Sequence, residues 1–228
     1  MAASSAPAKK AAILVAGGSG KRMGGSIPKQ FMLLKGRPLL CWTIDVFRKY
    51  GATMPIIVVL PEAQIPIWKA LCIGHGFHTE HRIVPGGEER FHSVRNGLAA
   101  VDHDGVVAVH DGGRPLVSVE LIARCFDSAE EHGSAIPVVP ISSSVREVIG
   151  EGSRAIDRTT LRAVQTPQCF RVELLRKAFE LPYDPAFTDE ATLVERIGEQ
   201  VRLVDGEERN LKVTTSTDLE FVQQLISR

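Results

Sequence analysis

The chain alternates compact apolar runs with longer segments whose apolar side chains recur at helical spacing. Residues 13–15 (ILV), 55–60 (PIIVVL) and 105–110 (GVVAVH) are rich in β-branched side chains, the pattern of strands buried on both faces. Residues 81–84 and 135–139 read as further short strands. Between these runs, Leu39, Leu40, Ile44 and Phe47 share one face of a helix predicted over 38–50, with Pro38 suited to its first turn. Helices are also predicted from 61 to about Leu71 despite Pro61 and Pro66, through Ser93, Val94, Gly97, Leu98 and Val101, and over 119–131 and 172–179. This β-α-β-α order predicts a Rossmann-like α/β fold, a mostly parallel sheet flanked by helices.

The pattern changes in the second half. Two short runs, 145–149 and 154–156, flank Gly150-Glu151-Gly152 and predict a β-hairpin within 141–158. It has few large apolar side chains and cannot form a core of its own. It is therefore expected to project as an arm toward a partner subunit. Thr166 is held extended by Pro167. Thr188 is the expected N-cap of a helix reaching about Ile197, residues 210–214 are expected to form a last strand, and Thr217 with Glu220 suits a capping box.

Composition narrows the function more than the fold. With 228 residues and no shift in composition, the chain predicts a tail over 1–10 and one domain over 11–228, with the arm at about 141–158. Lys plus Arg equals Asp plus Glu at 27 each, so no global basic field exists to hold nucleic acid. Any anion must be bound by local charge. Four scattered cysteines without a C-x-x-C pair argue against a zinc site or disulfide framework and fit a reducing cytoplasm. No run approaches the roughly 18 apolar residues of a membrane span.

The candidate chemistry lies where the strands end. After the first strand, Gly17, Gly18 and Gly20 let backbone N–H groups face one guest, with Lys21, Arg22 and Lys29 beside them. A polyphosphate suits that loop. It is neither a dinucleotide fingerprint, since Met23 replaces the last glycine, nor a Walker A loop, since Arg22 follows Lys21. Glu62 lies well beyond the ~20-residue spacing of a ribose-binding acid, which weakens an NAD-dependent oxidoreductase further. Gly86-Gly87-Glu88 before a helix bearing Ser93 can admit a base or ribose against bare backbone, the plain alternative being a β-turn before a helix. Asp111-Gly112-Gly113-Arg114 ends the third long strand. There Asp111 can bind a hydroxyl or sit near a metal, and Arg114 can bind phosphate, unless the two merely pair with each other.

Read together, LVAGGSGKRM with PKQ, GGEER with SVRNGL, VHDGGRP, IDR, QTPQ, TDEA and NLKVT resemble, in order and spacing, the 2-C-methyl-D-erythritol 4-phosphate cytidylyltransferases across residues 11–225. The resemblance implies transfer of CMP from CTP to a sugar-alcohol phosphate, with Mg²⁺ and release of pyrophosphate. It implies Arg22 and Lys29 as the cations at the CTP phosphates, and Arg158 from the arm and Lys212 on the substrate side complete the expected catalytic set. Ala16, Gly17, Gly18, Gly86, Gly87, Glu88 and Ser93 would form the CTP surface. Asp111, Arg114, Thr166 and Thr188 would face the substrate, with Ser144 and Arg158 carried by an arm that reaches into the partner of a homodimer. The metal would be held mostly by the triphosphate, assisted at most by Asp111. Three departures stand out: Gly112-Gly113 where the family usually has Ala-Ala, expected to slacken the hold on Asp111, Ser144 for threonine, and Glu88 for aspartate. The alternatives are a ribitol-5-phosphate cytidylyltransferase and a non-catalytic nucleotide-binding regulator.

Overall fold

The computed structural model describes residues 8–17 and 28–226. β1 (Lys10–Val15) is the centre of the sheet. Ala12 and Leu14 bury on one face, and Ala11 and Ile13 on the other, which is why the run is apolar without alternation. Ala8 and Lys10, assigned to the tail by sequence, are already engaged. The Ala8 N–H donates to Glu130, and Lys10 opens the strand.

A short hairpin, β2 (Leu33–Leu34) and β3 (Arg37–Pro38), turns through Lys35 and Gly36, both at positive φ, and leads into α1 (Leu39–Tyr50). Then follow β4 (Ile56–Leu60), α2 (Ile65–Gly74) with Pro66 in its first turn, β5 (Arg82–Pro85), α3 (Arg90–Leu98), β6 (Val106–Asp111), α4 (Val119–His132) and β7 (Ser134–Pro140). These match the periodicity to within a few residues. α4 starts on Ser118, whose hydroxyl accepts the Leu121 N–H, and ends on Gly133 at φ 90°.

β8 (Val145–Ile149) and β9 (Gly152–Ile156) pair antiparallel as the predicted arm, apart from the main sheet. Val148 is 78% exposed and Ile149 54%, so the arm leaves its apolar side chains in solvent. The chain returns through β10 (Arg162–Val164) and β11 (Gln168–Arg171), then α5 (Val172–Ala178), α6 (Glu190–Arg196), β12 (Leu203–Asp205) and α7 (Ser216–Ile226).

The sheet order is β10-β7-β11-β6-β1-β4-β5, with β12 paired to β7. β6, β1, β4 and β5 run parallel, and β11 lies antiparallel between β6 and β7. From β1 the chain fills one side of the sheet with β4 and β5, then crosses to the other with β6. The switch point between β1 and β6 brings Val15 opposite Asp111 at their carboxyl ends. Ligands of such sheets collect in that crevice.

Three local expectations are corrected. Residues 210–214 form no strand; Val213 buries against Leu34, Leu39 and Val222, while the strand in this region is β12. The cap of α6 is Asp189, whose carboxylate accepts the Thr192 N–H, rather than Thr188. The capping box of α7 is Thr215 with Asp218: the Thr215 hydroxyl accepts the Asp218 N–H at 3.2 Å, and the Asp218 carboxylate accepts the Thr215 N–H at 2.8 Å.

Candidate active site

The switch point opens into a cleft of about 310 Å³, and three glycine-bearing turns build it. The first follows β1. Ala16 is buried and donates its N–H to Val59 O, and Gly17 continues along the cleft wall. Gly18 and Arg22 lie outside the described residues, so their expected roles stand on the sequence. The chain re-enters at Pro28, and Lys29 on the following 3₁₀ turn directs Nζ to within 3.3 Å of Val213 O beside the cleft.

The second turn follows β5. Gly86 donates its N–H to Leu60 O, and Gly87 donates to the Ser93 hydroxyl at 3.1 Å. A Cβ on Gly86 would stand 2.9 Å from that hydroxyl, and one on Gly87 only 2.3 Å from His92 Cβ. Glycine is required here by close approach. Ser93, from the first turns of α3, therefore braces the loop whose Gly87 and Glu88 line the cleft.

The third turn, after β6, carries Asp111. Its carboxylate meets Lys212 Nζ at 2.9 Å and Arg114 Nε at 3.4 Å on Oδ2, and Arg90 Nη2 at 3.7 Å on Oδ1. Burial pushes the Asp111 carboxyl up, but Arg90, Lys212 and Arg114 together outweigh it and hold the group well below the usual carboxylate range. The Asp111–Arg114 pairing that the sequence offered as the alternative to phosphate binding is present, and Arg114 Nη1 also donates to Asn210 O at 2.7 Å. Gly112 does not slacken this loop. Its N–H donates to Val15 O, its carbonyl accepts the Thr43 hydroxyl, and the Gly113 carbonyl accepts the Val213 N–H.

Thr166 stands behind Asp111, 5% exposed, its hydroxyl accepting the Asp111 N–H at 3.0 Å and lying 3.1 Å from His110 Nδ1. His110 Nε2 faces the carbonyl of Arg114, which can only accept, so Nε2 carries the proton and Nδ1 accepts from Thr166. Burial lowers the His110 pKa to about 3, leaving the ring neutral. The other side chains of the QTPQ stretch are bracing groups as well. Gln165 bonds the backbone of Glu207, and Gln168 joins Asp189 to the Ala191 N–H.

Two residues absent from the sequence-based set belong to this site. Arg90, the first residue of α3, lines the cleft and spans two carboxylates, those of Asp111 and Glu190. Glu190 is 2% exposed; burial pushes its pKa up, and the Arg90 guanidinium pulls it back only in part. The stretch GGEER looks like a solvated charge run, and only the start of α3 turns Arg90 inward. The buried glutamate in TDEA is the signal that a cation must meet it.

Thr188, Ser144 and Arg158 are not brought to this cleft. Thr188 is exposed beside a small hollow behind Arg90, and Ser144 is exposed at the root of the arm. Arg158 donates to the Ser142 carbonyl. Among the described residues, no group of three His, Cys, Asp or Glu side chains forms a metal cage. With both Asp111 oxygens facing cations, the protein groups do not fit a resident Mg²⁺.

A glycine-walled, cation-lined cleft at the switch point of a mostly parallel sheet defines a nucleotide-binding α/β protein of the nucleotidyltransferase class. The family model for 2-C-methyl-D-erythritol 4-phosphate cytidylyltransferase matches residues 10–228. The chain is 48% identical to the protein of that name from Bacteroides thetaiotaomicron, over 96% of this chain and 100% of that one. It is likewise 48% identical to that of Phocaeicola vulgatus, over 94% and 98%. The crystal structure of the Thermus thermophilus enzyme superposes with a TM-score of 0.78 at 32% identity, covering 96% of this chain and 100% of that chain. The chain belongs to the 2-C-methyl-D-erythritol 4-phosphate cytidylyltransferase family. It is a nucleotidyltransferase, and the oxidoreductase and regulator readings fall away.

Proposed function

We propose that the protein transfers CMP from CTP to 2-C-methyl-D-erythritol 4-phosphate, giving 4-diphosphocytidyl-2-C-methyl-D-erythritol and pyrophosphate, a step of isoprenoid precursor synthesis by the non-mevalonate route. The observation that carries this reading is the family match along residues 10–228 onto a cleft where Lys29, Arg90 and Lys212 converge from separate segments.

The substrate's phosphate monoester has its second pKa near about 6, so at neutral pH it is already a dianion and needs no Ser, Cys or His to become a nucleophile. One of its oxygens attacks the α-phosphorus of CTP in line. The new P–O bond forms as the bond from the α-phosphorus to the bridging oxygen breaks, and pyrophosphate leaves with that electron pair. The barrier is repulsion between anions. Lys29 and Lys212, with Arg22 on the opening loop, offset it and stabilise the charge growing on the leaving group. Gly87 and Ser93 shape the nucleotide wall, and Asp111, held ionised, accepts hydroxyls of the sugar alcohol. Any Mg²⁺ would enter with CTP, where it would help neutralise the triphosphate, rather than be held by side chains of the cleft.

The arm completes the site across a homodimer. Its support is the solvent-exposed Val148 and Ile149, and the position of Ser144 and Arg158 at its root, away from the cleft of their own chain. Arg158→Ala then raises KM for the sugar-alcohol phosphate more than it lowers kcat. The free cysteines fit a cytoplasmic location, and no described helix is long and apolar enough to cross a membrane.

A coupled pyrophosphate assay tests the reading. CTP with methylerythritol phosphate should give steady release, and CTP with ribitol 5-phosphate should give little. Release with ribitol phosphate alone assigns the chain to the other substrate, and release with neither overturns the reading.

A further inference from the structure

We propose that Arg90 and Glu190 act as a positioning pair that couples the nucleotide wall of the cleft to the sugar-alcohol side and holds the Asp111 carboxylate in place for its substrate. The inference rests on the proposed function and adds two residues to that site.

Two helix starts and the end of β6 meet at one guanidinium. Arg90 opens α3 directly after the Gly86–Glu89 turn, Glu190 opens α6 directly after Asp189, and Asp111 ends β6. One guanidinium joins all three, with Nη1 on Glu190 Oε1 and Nη2 3.7 Å from Asp111 Oδ1. Motion of either helix start is thereby transmitted to the other and to Asp111. The guanidinium meets the two carboxylates from two different nitrogens of one rigid fork, Nη1 and Nη2, whereas a lysine ammonium would have to reach both from a single atom, so Lys at 90 is not equivalent.

Asp111 faces Arg90, Arg114 and Lys212, three cations against one anion. Glu190 is the further anion in contact with Arg90. Without it, Arg90 would carry an unbalanced charge at the wall of a cleft built for polyphosphate, and the incoming nucleotide would draw it away from Asp111. Glu190 Oε2 is buried without a hydrogen-bond partner, so this carboxylate is not arranged for maximal stability. Its charge, directed at Arg90, is what the arrangement uses.

The test compares the parent enzyme with Glu190→Gln, Arg90→Lys and the double variant. Pyrophosphate release gives kcat and KM for each substrate, and calorimetry gives the CTP affinity. A coupling of this kind predicts that either single change raises KM for the sugar-alcohol phosphate about 10- to 100-fold while CTP affinity moves less than about threefold. The double variant should be no worse than the worse single one, and Glu190→Asp should recover most of the loss. An unchanged KM in Glu190→Gln overturns the inference. So does a parallel loss of CTP affinity, or additive losses in the double variant. If Glu190→Gln does not fold, Arg90→Lys and Glu190→Asp make the same comparison, and an unchanged KM in Arg90→Lys overturns the inference equally. Each variant is scored against the parent on whichever sugar-alcohol phosphate the parent uses, so a failed substrate assignment and a failed pair are told apart.

Discussion

Lys212 Nζ lies 2.9 Å from Asp111 Oδ2, an ion pair that ties the segment before α7 to the end of β6. With Arg90 and Arg114 on the same carboxylate, removing Asp111's charge leaves three cations facing one another. Asp111→Asn should lower stability by about 3–5 kcal/mol, the usual range for breaking a buried charge pair, and reduce kcat/KM by about 100-fold. The pH dependence follows from the lowered pKa. Because the folded value lies below the unfolded one, the stabilisation is complete above about pH 4 and is lost as pH falls through the folded value. Denaturant midpoints of parent and variant should therefore differ by a constant amount from pH 8 to pH 5 and converge below about pH 4. A gap that closes near neutrality would contradict this.

The adjacent glycines should respond oppositely to alanine. A Cβ on Gly112 would stand 3.0 Å from Ala16 Cβ and 3.1 Å from Leu40 Cδ1, whereas on Gly113 its nearest neighbour is Val213 O at 3.5 Å. Neither glycine has positive φ. Gly113→Ala should gain about 0.4–1 kcal/mol from a less flexible unfolded chain. Gly112→Ala should lose that gain to crowding and cost about 1 kcal/mol or more. Thermal melts of the two variants decide it.

Much of this architecture is written in the apolar runs. β1, β4 and β6 are buried on both faces, and uninterrupted β-branched sequence admits few other structures. The arm is legible for the opposite reason, its lack of core-forming side chains. The failures occur where tertiary contacts override short-range signals. Residues 210–214 have a strand's composition, yet Val213 is drawn into the cluster with Leu34 and Leu39, and Asn210 bonds the Thr166 carbonyl at 2.8 Å. β12 is three residues with both ends exposed and offers almost no periodicity. In the site, glycine turns and strand ends locate Asp111, Gly87 and Lys29. Arg90 escapes because nothing local separates a charge facing solvent from one facing a buried glutamate 100 residues further along the chain.

Ser93 offers a test of the nucleotide wall that leaves the charges intact. Its hydroxyl accepts the Gly87 N–H at 3.1 Å and would lie 4.0 Å from a Cβ on Gly17, so it stands between the two glycine turns. Ser93→Ala frees the Gly87 N–H and should cost about 1 kcal/mol of stability. Loss of loop order should raise KM for CTP by about five- to tenfold, near 1–1.4 kcal/mol, with kcat little changed. A kcat that falls while KM for CTP stays constant would assign Ser93 a different task.

The hydroxyl of Thr166 gives the sharpest test of how Asp111 is aimed. It accepts the Asp111 N–H and faces neutral His110 Nδ1, both in buried surroundings, so it serves two polar groups that water does not reach. Thr166→Val is nearly isosteric but leaves both unsatisfied, which should destabilise the fold by about 1–3 kcal/mol. The backbone at Asp111 then loses a fixed point, and an error of order 1 Å in a substrate-facing group can cost up to about 100-fold in rate. Thr166→Ser keeps the hydroxyl and removes one methyl, so it should lose about 1 kcal/mol of stability with kcat/KM close to the parent's. Activity that follows the hydroxyl identifies Thr166 as the group that orients Asp111. Activity that follows the methyl, with Thr166→Val active and Thr166→Ser impaired, would instead make the site depend on packing.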